Sequence, residues 1–315
     1  MMKKPTALIL SGMLAVSPAP ALDLTATPEA PLGAPPKSLL GETPFDFSQL
    51  ELAPTPAATP GVGKPERKPD IHYVPTPEPV VAEMLKTANV GKGDVIYDLG
   101  CGDGRIVITA AAKHGAKGIG IDIDPQRIAE AKENAKKAGV EDQVTLKVAD
   151  LFKSDFSDAS VISLYLLSSL NVKLRPKILA ETKPGTRIVS HAFSMGDWEP
   201  DAHKTVNSND VYFWVVPADI SGTWKLTGKA TEEGYETVTI DQKYQKFAGK
   251  VAGKNGTKQI TDGVLKGAEF TLHLEGDTAD AKPMKVTGKV SGDKLEANID
   301  GADDVWTAER QKDSE

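Results

Sequence analysis

The chain has 315 residues, of which 40% are apolar and 26% charged, with a formal net charge of −7. That is the make-up of a soluble globular protein long enough for two domains. The acidic balance argues against nucleic acid as a partner, because a nucleic-acid binder normally carries a basic excess. A single cysteine, Cys101, excludes an intrachain disulfide framework and a cysteine-rich metal site. The five histidines, at 72, 114, 191, 203 and 273, have no HxxxH spacing, and no metal is expected.

Residues 1–21, MMKKPTALILSGMLAVSPAPA, open with two lysines and continue with a short apolar run ending at Ala19-Pro20-Ala21. This is the layout of a signal peptide or short apolar anchor, and the run is too short to span a membrane comfortably. An exported or membrane-anchored protein is the expectation, with an anchor facing the cytoplasm as the alternative. Residues 22–70 are a Pro-rich linker: 16 of the 22 prolines fall in residues 1–79, with no sustained apolar period. Such a composition cannot bury enough apolar surface to offset its ordering entropy.

Order is expected from residue 71. IHYVPTPEPVVAEML has an extended, Pro-rich entry followed by apolar residues at helical spacing. Strands and helices then alternate. DVIYDLG precedes the helix GRIVITAAAKHG; AKGIGIDID precedes PQRIAEAKENAKKAG. QVTLKVAD and ASVISLYLL follow, then a helix around VKLRPKILAET and the strand TRIVSHAF. HKTVN and DVYFWVVP close the domain as a hairpin, near residue 218. The pattern predicts an α/β, Rossmann-like, mostly parallel seven-stranded sheet with a terminal antiparallel hairpin. From 219 to 315 the period changes to short alternating strands between Gly, Asp and Asn turns, GTWKLTG through DVWTAER. A small all-β barrel or sandwich is expected there, with Trp224 and Trp306 plugging its ends. Its simplest role is structural; the sharper one is a module that presents substrate or attaches to the envelope.

The chemistry concentrates at the first three strand ends. Gly100, Gly102 and Gly104 form GxGxG, and Arg105 stands where a dinucleotide fingerprint has its third glycine. Asp98 lies two residues before the first glycine, where it would repel a pyrophosphate but attract an ammonium. Asp122, ending the second strand, suits the two ribose hydroxyls, and Asp150, ending the third, suits an adenine amine. Three acids on one edge of the sheet point to S-adenosylmethionine, whose amino group and sulfonium are both positive.

YDLGCGDGR, GIDID and ADLF, with the closing hairpin, resemble a class I adenosylmethionine-dependent methyltransferase. YVPTPEPVVAEML, LYLLSSLNVKLRPKI and GTRIVSHAFSMGDW are further similar to a family of small protein-lysine N-methyltransferases. Its mitochondrial members modify the adenine nucleotide translocator and the ATP synthase c-subunit. The resemblance implies that Asp98, Gly100, Cys101 and Gly102 line the methionine end of the donor. It implies that Asp122 and Ile123 hold the ribose, that Asp150 and Leu151 flank adenine, and that Tyr73, Val74, Pro75 and Thr76 fold over the donor as a lid. Cys101, where the family has a small residue such as serine, is expected to be a small buried residue rather than a thiol nucleophile.

A protein lysine is the implied acceptor, with membrane proximity implied by the mitochondrial members. Tyr165 is expected to line an apolar acceptor slot and His191 to accept a proton or to hold a loop; Phe193 and Trp198 are candidate channel walls, with core packing expected for at least one of them. No Asn-Pro-Pro-aromatic motif follows the fourth strand, which again counts against nucleic acid. A small-molecule or lipid-headgroup acceptor is the second reading, and a non-catalytic envelope protein the third. Nothing in the residues fixes an oligomeric state.

Overall fold

This computed structural model describes residues 67–254, 256–276, 278, 281–299 and 305–311. The expected signal or anchor at 1–21 and the linker up to residue 66 lie outside the described residues. Among the described residues, no helix is long and apolar enough to cross a membrane.

The extended entry leads into α1 (Glu78–Thr87), which buries Val80, Val81, Met84 and Leu85. β1 (Val95–Leu99) is followed by the glycine loop and α2 (Arg105–His114), then by β2 (Lys117–Asp122) and α3 (Pro125–Lys137). Gly104 begins α2 and Gly115 ends it, both in the left-handed region. The Asp124 carboxylate caps α3 by accepting from Gln126 N, with Pro125 in the first turn, where its missing N–H costs nothing. Then come β3 (Val144–Val148), β4 (Val161–Leu164), α4 (Ser168–Glu181), β5 (Arg187–His191), β6 (Ala202–Val206) and β7 (Asn209–Val215).

These seven strands form one sheet in the order β3-β2-β1-β4-β5-β7-β6. β1 to β5 run parallel, and β7 is antiparallel to both β5 and β6. The β6–β7 turn places Asn207 and Ser208 at φ 48° and 64°, the geometry of a tight hairpin turn. Apolar clusters cover both faces of the sheet. One gathers α1 and α2 side chains such as Met84, Leu85 and Ile108; the other gathers Leu99, Ile162, Leu174 and Trp214. The strand order reverses between β1 and its neighbours β2 and β4, the place where open α/β sheets hold ligands.

The C-terminal strands close into a barrel rather than a sandwich: β8 (Gly222–Gly228), β9 (Tyr235–Lys243), β10 (Lys246–Gly253), β11 (Gly256–Lys266), β12 (Glu269–Leu274), β13 (Met284–Ser291), β14 (Lys294–Ile299) and β15 (Val305–Arg310), with β15 pairing back to β8. The short α5 (Lys229–Glu232) follows β8. Trp224 stands opposite Arg310, and Trp306 opposite Gly228, so the two indoles mark opposite ends of the β8–β15 pair. Trp306 also lines an apolar cavity of about 50 Å³ inside the barrel.

Three boundaries differ from the sequence expectation. The fourth strand stops at Leu164, which puts Tyr165 just past its end, and α4 starts at Ser168, ahead of the VKLRPKI pattern. ETVTIDQKYQKFAGKVAG is two strands, folded at Tyr244 with φ 56°. β11 matched no expected strand, because its register shifts between Thr261 and Val264 and the buried side moves from Ile260 to Gly263 and Leu265. A bulge of this kind hides the two-residue period from a sequence reading.

Candidate functional site

The glycine loop is built to bring backbone close to a ligand. Gly100 and Gly102 have φ of 90° and 52°, and Gly100 N and Cys101 N both donate to Ile121 O, at 2.8 and 3.0 Å. A Cβ on Gly102 would lie 2.1 Å from Tyr73 Cε2, so the Tyr73 ring covers the loop directly. The ring also lies under the Arg127 guanidinium, 5.0 Å from its centroid. Burial, reinforced by nearby Asp103, pushes the Tyr73 phenol well up from its ordinary value. Arg105 ties the lid to the loop: it pairs with Asp103 at 2.6 Å and donates from Nη1 to Thr76 O at 2.9 Å.

Asp98 is 2% exposed, and its Oδ1 accepts from Ser163 Oγ at 2.8 Å. Burial pushes its carboxyl up to about 7; Ser163 works against that shift, and Asp122 and Asp103 add to it. Asp122 accepts from Gly102 N and from Asp124 N, each at 2.9 Å, while burial raises its carboxyl as well. A carboxylate has about four lone-pair sites, so Asp122 keeps capacity for two hydroxyl donors. Ile123 follows it, half-buried at the bend after β2.

Asp150 receives Arg67 Nε at 3.0 Å and Nη2 at 3.3 Å, and Phe152 N at 3.0 Å. The Arg67 guanidinium holds its carboxyl below the usual range. The entry segment therefore reaches the site at both ends, through Arg67 and through Tyr73 to Thr76. Leu151 packs on the core below. Pro75 is half-buried, Thr76 buried and Val74 exposed. Cys101 is buried, and burial, with Asp98 next, pushes its thiol well above the ordinary value, so it is no nucleophile.

Beyond β4 and β5 lies a second group. The Tyr165 ring rests on that of His191, centroids 3.9 Å apart, and the Phe193 ring lies 6.2 Å from Tyr165 in a stacked orientation. His191 is 1% exposed. Its Nε2 lies 3.1 Å from Asn209 Oδ1 and its Nδ1 lies 3.2 Å from Thr76 Oγ1. Asn209 Nδ2 donates to Val206 O and Asn207 O, which fixes its oxygen toward the histidine. A carboxamide oxygen only accepts, so Nε2 carries the hydrogen and Nδ1 accepts from the Thr76 hydroxyl. Burial moves this imidazole down, toward the neutral form. Of the two candidate channel walls, Trp198 is the one that packs in the core, fully buried against Trp214 and Tyr244.

Sequence reasoning overlooked Ser163, Asn209 and Arg67. Ser163 was the readable one: it is a polar residue inside the apolar strand VISL, and the parallel register pairs it with Asp98.

A family model described as the ANTKMT methyltransferase domain matches residues 98–202. A protein-lysine N-methyltransferase of Saccharolobus islandicus is 44% identical over 153 residues, which are 47% of this chain and 95% of that protein. This chain belongs to the ANTKMT methyltransferase family. A lysine N-methyltransferase of the ATP synthase c-subunit, from Xenopus laevis, is 32% identical over 144 residues, 46% of this chain and 63% of that protein. Among solved structures, an RNA methyltransferase from Salinibacter ruber in complex with S-adenosyl-L-homocysteine is 53% identical, over 47% of this chain and 96% of that one, with a TM-score of 0.46. The family match ends at residue 202, before β7 is complete and before the barrel begins. The chain is thus a methyltransferase whose barrel lies outside the family's own domain.

Proposed function

We propose that this methyltransferase uses S-adenosylmethionine to methylate the side-chain amine of a protein lysine. The observation that carries the reading is the pairing of two unlike surfaces on one sheet edge. One is acidic, the buried Asp98 with the part-buried Asp122; the other is aromatic, Tyr165 and Phe193, with the buried His191 ring behind Tyr165. The names of the S. islandicus and X. laevis relatives support a lysine acceptor.

S-Adenosylmethionine, when bound, supplies a methyl group made electrophilic by its sulfonium. The acidic surface fits that group: buried Asp98 has the charge to meet an ammonium, and the opened backbone of Gly100 to Gly102 leaves room at the loop. Asp122 has lone pairs left for the ribose hydroxyls, and Ile123 and Leu151 offer apolar contact. Tyr73, Pro75 and Thr76 close over the loop and exclude water. Asp150 serves first as the anchor of Arg67 and retains acceptor capacity toward an adenine amine.

On the acceptor side the lysine must arrive as a neutral amine, because an ammonium has no lone pair to give. Desolvation between Tyr165 and Phe193 lowers the ammonium's pKa. His191 has both nitrogens engaged, so the departing proton passes to water and not to the imidazole. Its work is to present a rigid neutral face to Tyr165 and to hold Thr76, and with it the lid. What remains is alignment, and holding the two reactants in line is worth several orders of magnitude in rate.

Calorimetric titration with S-adenosylmethionine and its demethylated product tests the donor site. Micromolar-range binding by the wild type, weakened at least tenfold (about 1.4 kcal/mol) in Asp122→Ala, is expected. Isotope-labelled donor, incubated with protein, lipid and RNA fractions of a cell extract, tests the acceptor. Label on lysine supports the proposal, and label confined to lipid, small molecules or RNA overturns it.

A further inference from the structure

The barrel is joined to the sheet without slack. The connecting residues Val216, Ala218 and Ile220 are 1%, 4% and 1% exposed. Gly185 N donates to Val216 O, Val216 N to Thr186 O, and Ala218 N to Gly267 O, each at 2.8 Å. The Gln242 carboxamide accepts from Ile220 N at 2.7 Å and donates to Ala218 O and Tyr244 O at 2.9 and 2.7 Å. It thereby locks the β9–β10 turn onto the connection.

That turn also packs against the loop from Ala192 to Asp201 that follows β5. Tyr244 is left-handed, with φ 56°, and its ring stacks on Trp198 at 5.6 Å and 20°. Its hydroxyl lies 3.1 Å from Asp197 Oδ1, which also takes Arg175 Nη1 at 2.7 Å; Lys243 Nζ lies 3.0 Å from Asp197 Oδ2. Gln245, 6% exposed, accepts from Trp198 Nε1 at 2.8 Å and donates to Glu199 O at 2.7 Å. A buried polar residue that meets two partners on the facing loop is specific, because any shift of that loop strands its donors and acceptors. A backbone held in the left-handed region by a non-glycine residue persists only where its surroundings over-determine it.

The same loop begins with Phe193, the wall of the acceptor surface beside Tyr165. Phe193 O accepts from Ser190 Oγ at 2.7 Å and from Asn171 Nδ2 at 3.1 Å, and Met195 O accepts from Arg175 Nη1 at 2.6 Å. From Phe193 to Glu199 the loop is therefore pinned at one end by the sheet and α4, and at the other by the barrel. Ala192, at φ 62°, marks the hinge where it leaves β5.

We propose that Tyr244 and Gln245 of the barrel are positioning residues for the methyl acceptor: through Trp198 and Asp197 they set the loop that carries Phe193. This rests on the acceptor reading given above. The barrel then belongs to the specificity of the enzyme: its β9–β10 turn supports the loop behind the acceptor wall, while the donor site stands on the ends of β1, β2 and β3 and on the entry segment.

The test uses the full chain with a library of unstructured dodecapeptides, each carrying one central lysine, as the acceptor probe. Gln245→Met keeps the length of the side chain and loses both hydrogen bonds; Tyr244→Ala loses the stack and the hydroxyl contact. In each, the peptide KM should rise about tenfold, with the S-adenosylhomocysteine Kd within about twofold of wild type. Tyr244→Phe, which keeps the ring on Trp198, should recover most of that loss. Amide exchange of residues 192–201, read without any acceptor, should quicken in Gln245→Met and Tyr244→Ala and stay slow in Tyr244→Phe. Unchanged exchange together with an unchanged KM overturns the proposal, as does a donor Kd that weakens in step with KM. If Gln245→Met fails to fold, the two Tyr244 variants carry the same comparison. A wild type that labels no peptide, and whose label on cell extract is confined to lipid, small molecules or RNA, while exchange follows the expected order, rejects the lysine reading alone.

Discussion

Asp98 gives the sharpest quantitative expectation. Its carboxyl is pushed up to about 7, chiefly by burial, and the ammonium end of the donor needs it ionised. A group with that pKa is about one-tenth ionised at pH 6 and about nine-tenths ionised at pH 8. The donor's own α-amino group, with a pKa of about 7.8, is less than half protonated at pH 8, so donor affinity should rise only about fourfold over that interval, or about 0.8 kcal/mol. Titration calorimetry in buffers of different ionisation enthalpy should report close to one proton released per donor bound near pH 6, and net proton uptake near pH 8.

Asp98→Asn keeps the shape and can still accept from Ser163, so its affinity should be weak and should not rise with pH. The same shift has a folding consequence of opposite sign. The folded chain holds the Asp98 proton more tightly than the unfolded one. That contribution is full below about pH 4 and is lost as pH rises through about 7, a loss on the order of 4 kcal/mol. Without donor, Asp98→Asn should then melt higher than wild type at pH 8 and close to it at pH 4. A donor Kd that is flat from pH 6 to 8 in the wild type would refute the assignment of Asp98 to the ammonium.

Three other outcomes follow from the packing. Gly102→Ala forces a methyl group to within 2.1 Å of Tyr73 Cε2 at a left-handed position, so donor binding should weaken at least tenfold (about 1.4 kcal/mol). Tyr73→Ala removes part of the lid and should weaken binding on its own, but the double variant should lose less than the sum of the two single losses; strict additivity in calorimetry would show that the ring is not what the methyl meets. Cys101, buried and with its thiol pushed up, should resist alkylation in the native protein and react freely in denaturant, as mass spectrometry with iodoacetamide can read. Gly288→Val meets Phe270 Cζ at 2.3 Å and Glu296 O at 2.4 Å from its Cβ alone, and should cost about 1–3 kcal/mol of stability in a denaturant melt.

Asp98, Asp122 and the glycines were legible because their chemistry is local: an acid at a strand tip and a turn through three glycines are visible in one short stretch. The sheet order was legible for the same reason, since alternating strands and helices leave few topologies. The partners of those residues were not. Ser163 reaches Asp98 only because β4 pairs with β1 in a definite register, and Asn209 meets His191 through a hairpin that returns beside β5. Arg67 meets Asp150 across 83 positions, a distance no periodicity records. Which of Phe193 and Trp198 packs in the core is not legible locally, because the partners of Trp198, Tyr244 and Gln245, lie in the distant turn between two barrel strands.

Closure of the barrel also divides the chain by its exposure to wrong pairing. A strand edge is a template for another chain, and the ring from β8 to β15 leaves none. Among the described residues, the seven-stranded sheet keeps two, at β3 and β6. β6 guards its edge with charge: Lys204 pairs with Glu83 at 2.6 Å. β3 is the less protected, with Val148 46% exposed beside Lys147. Edge-to-edge self-association of the folded protein should therefore begin at β3, and Val148→Lys is the change that would suppress it.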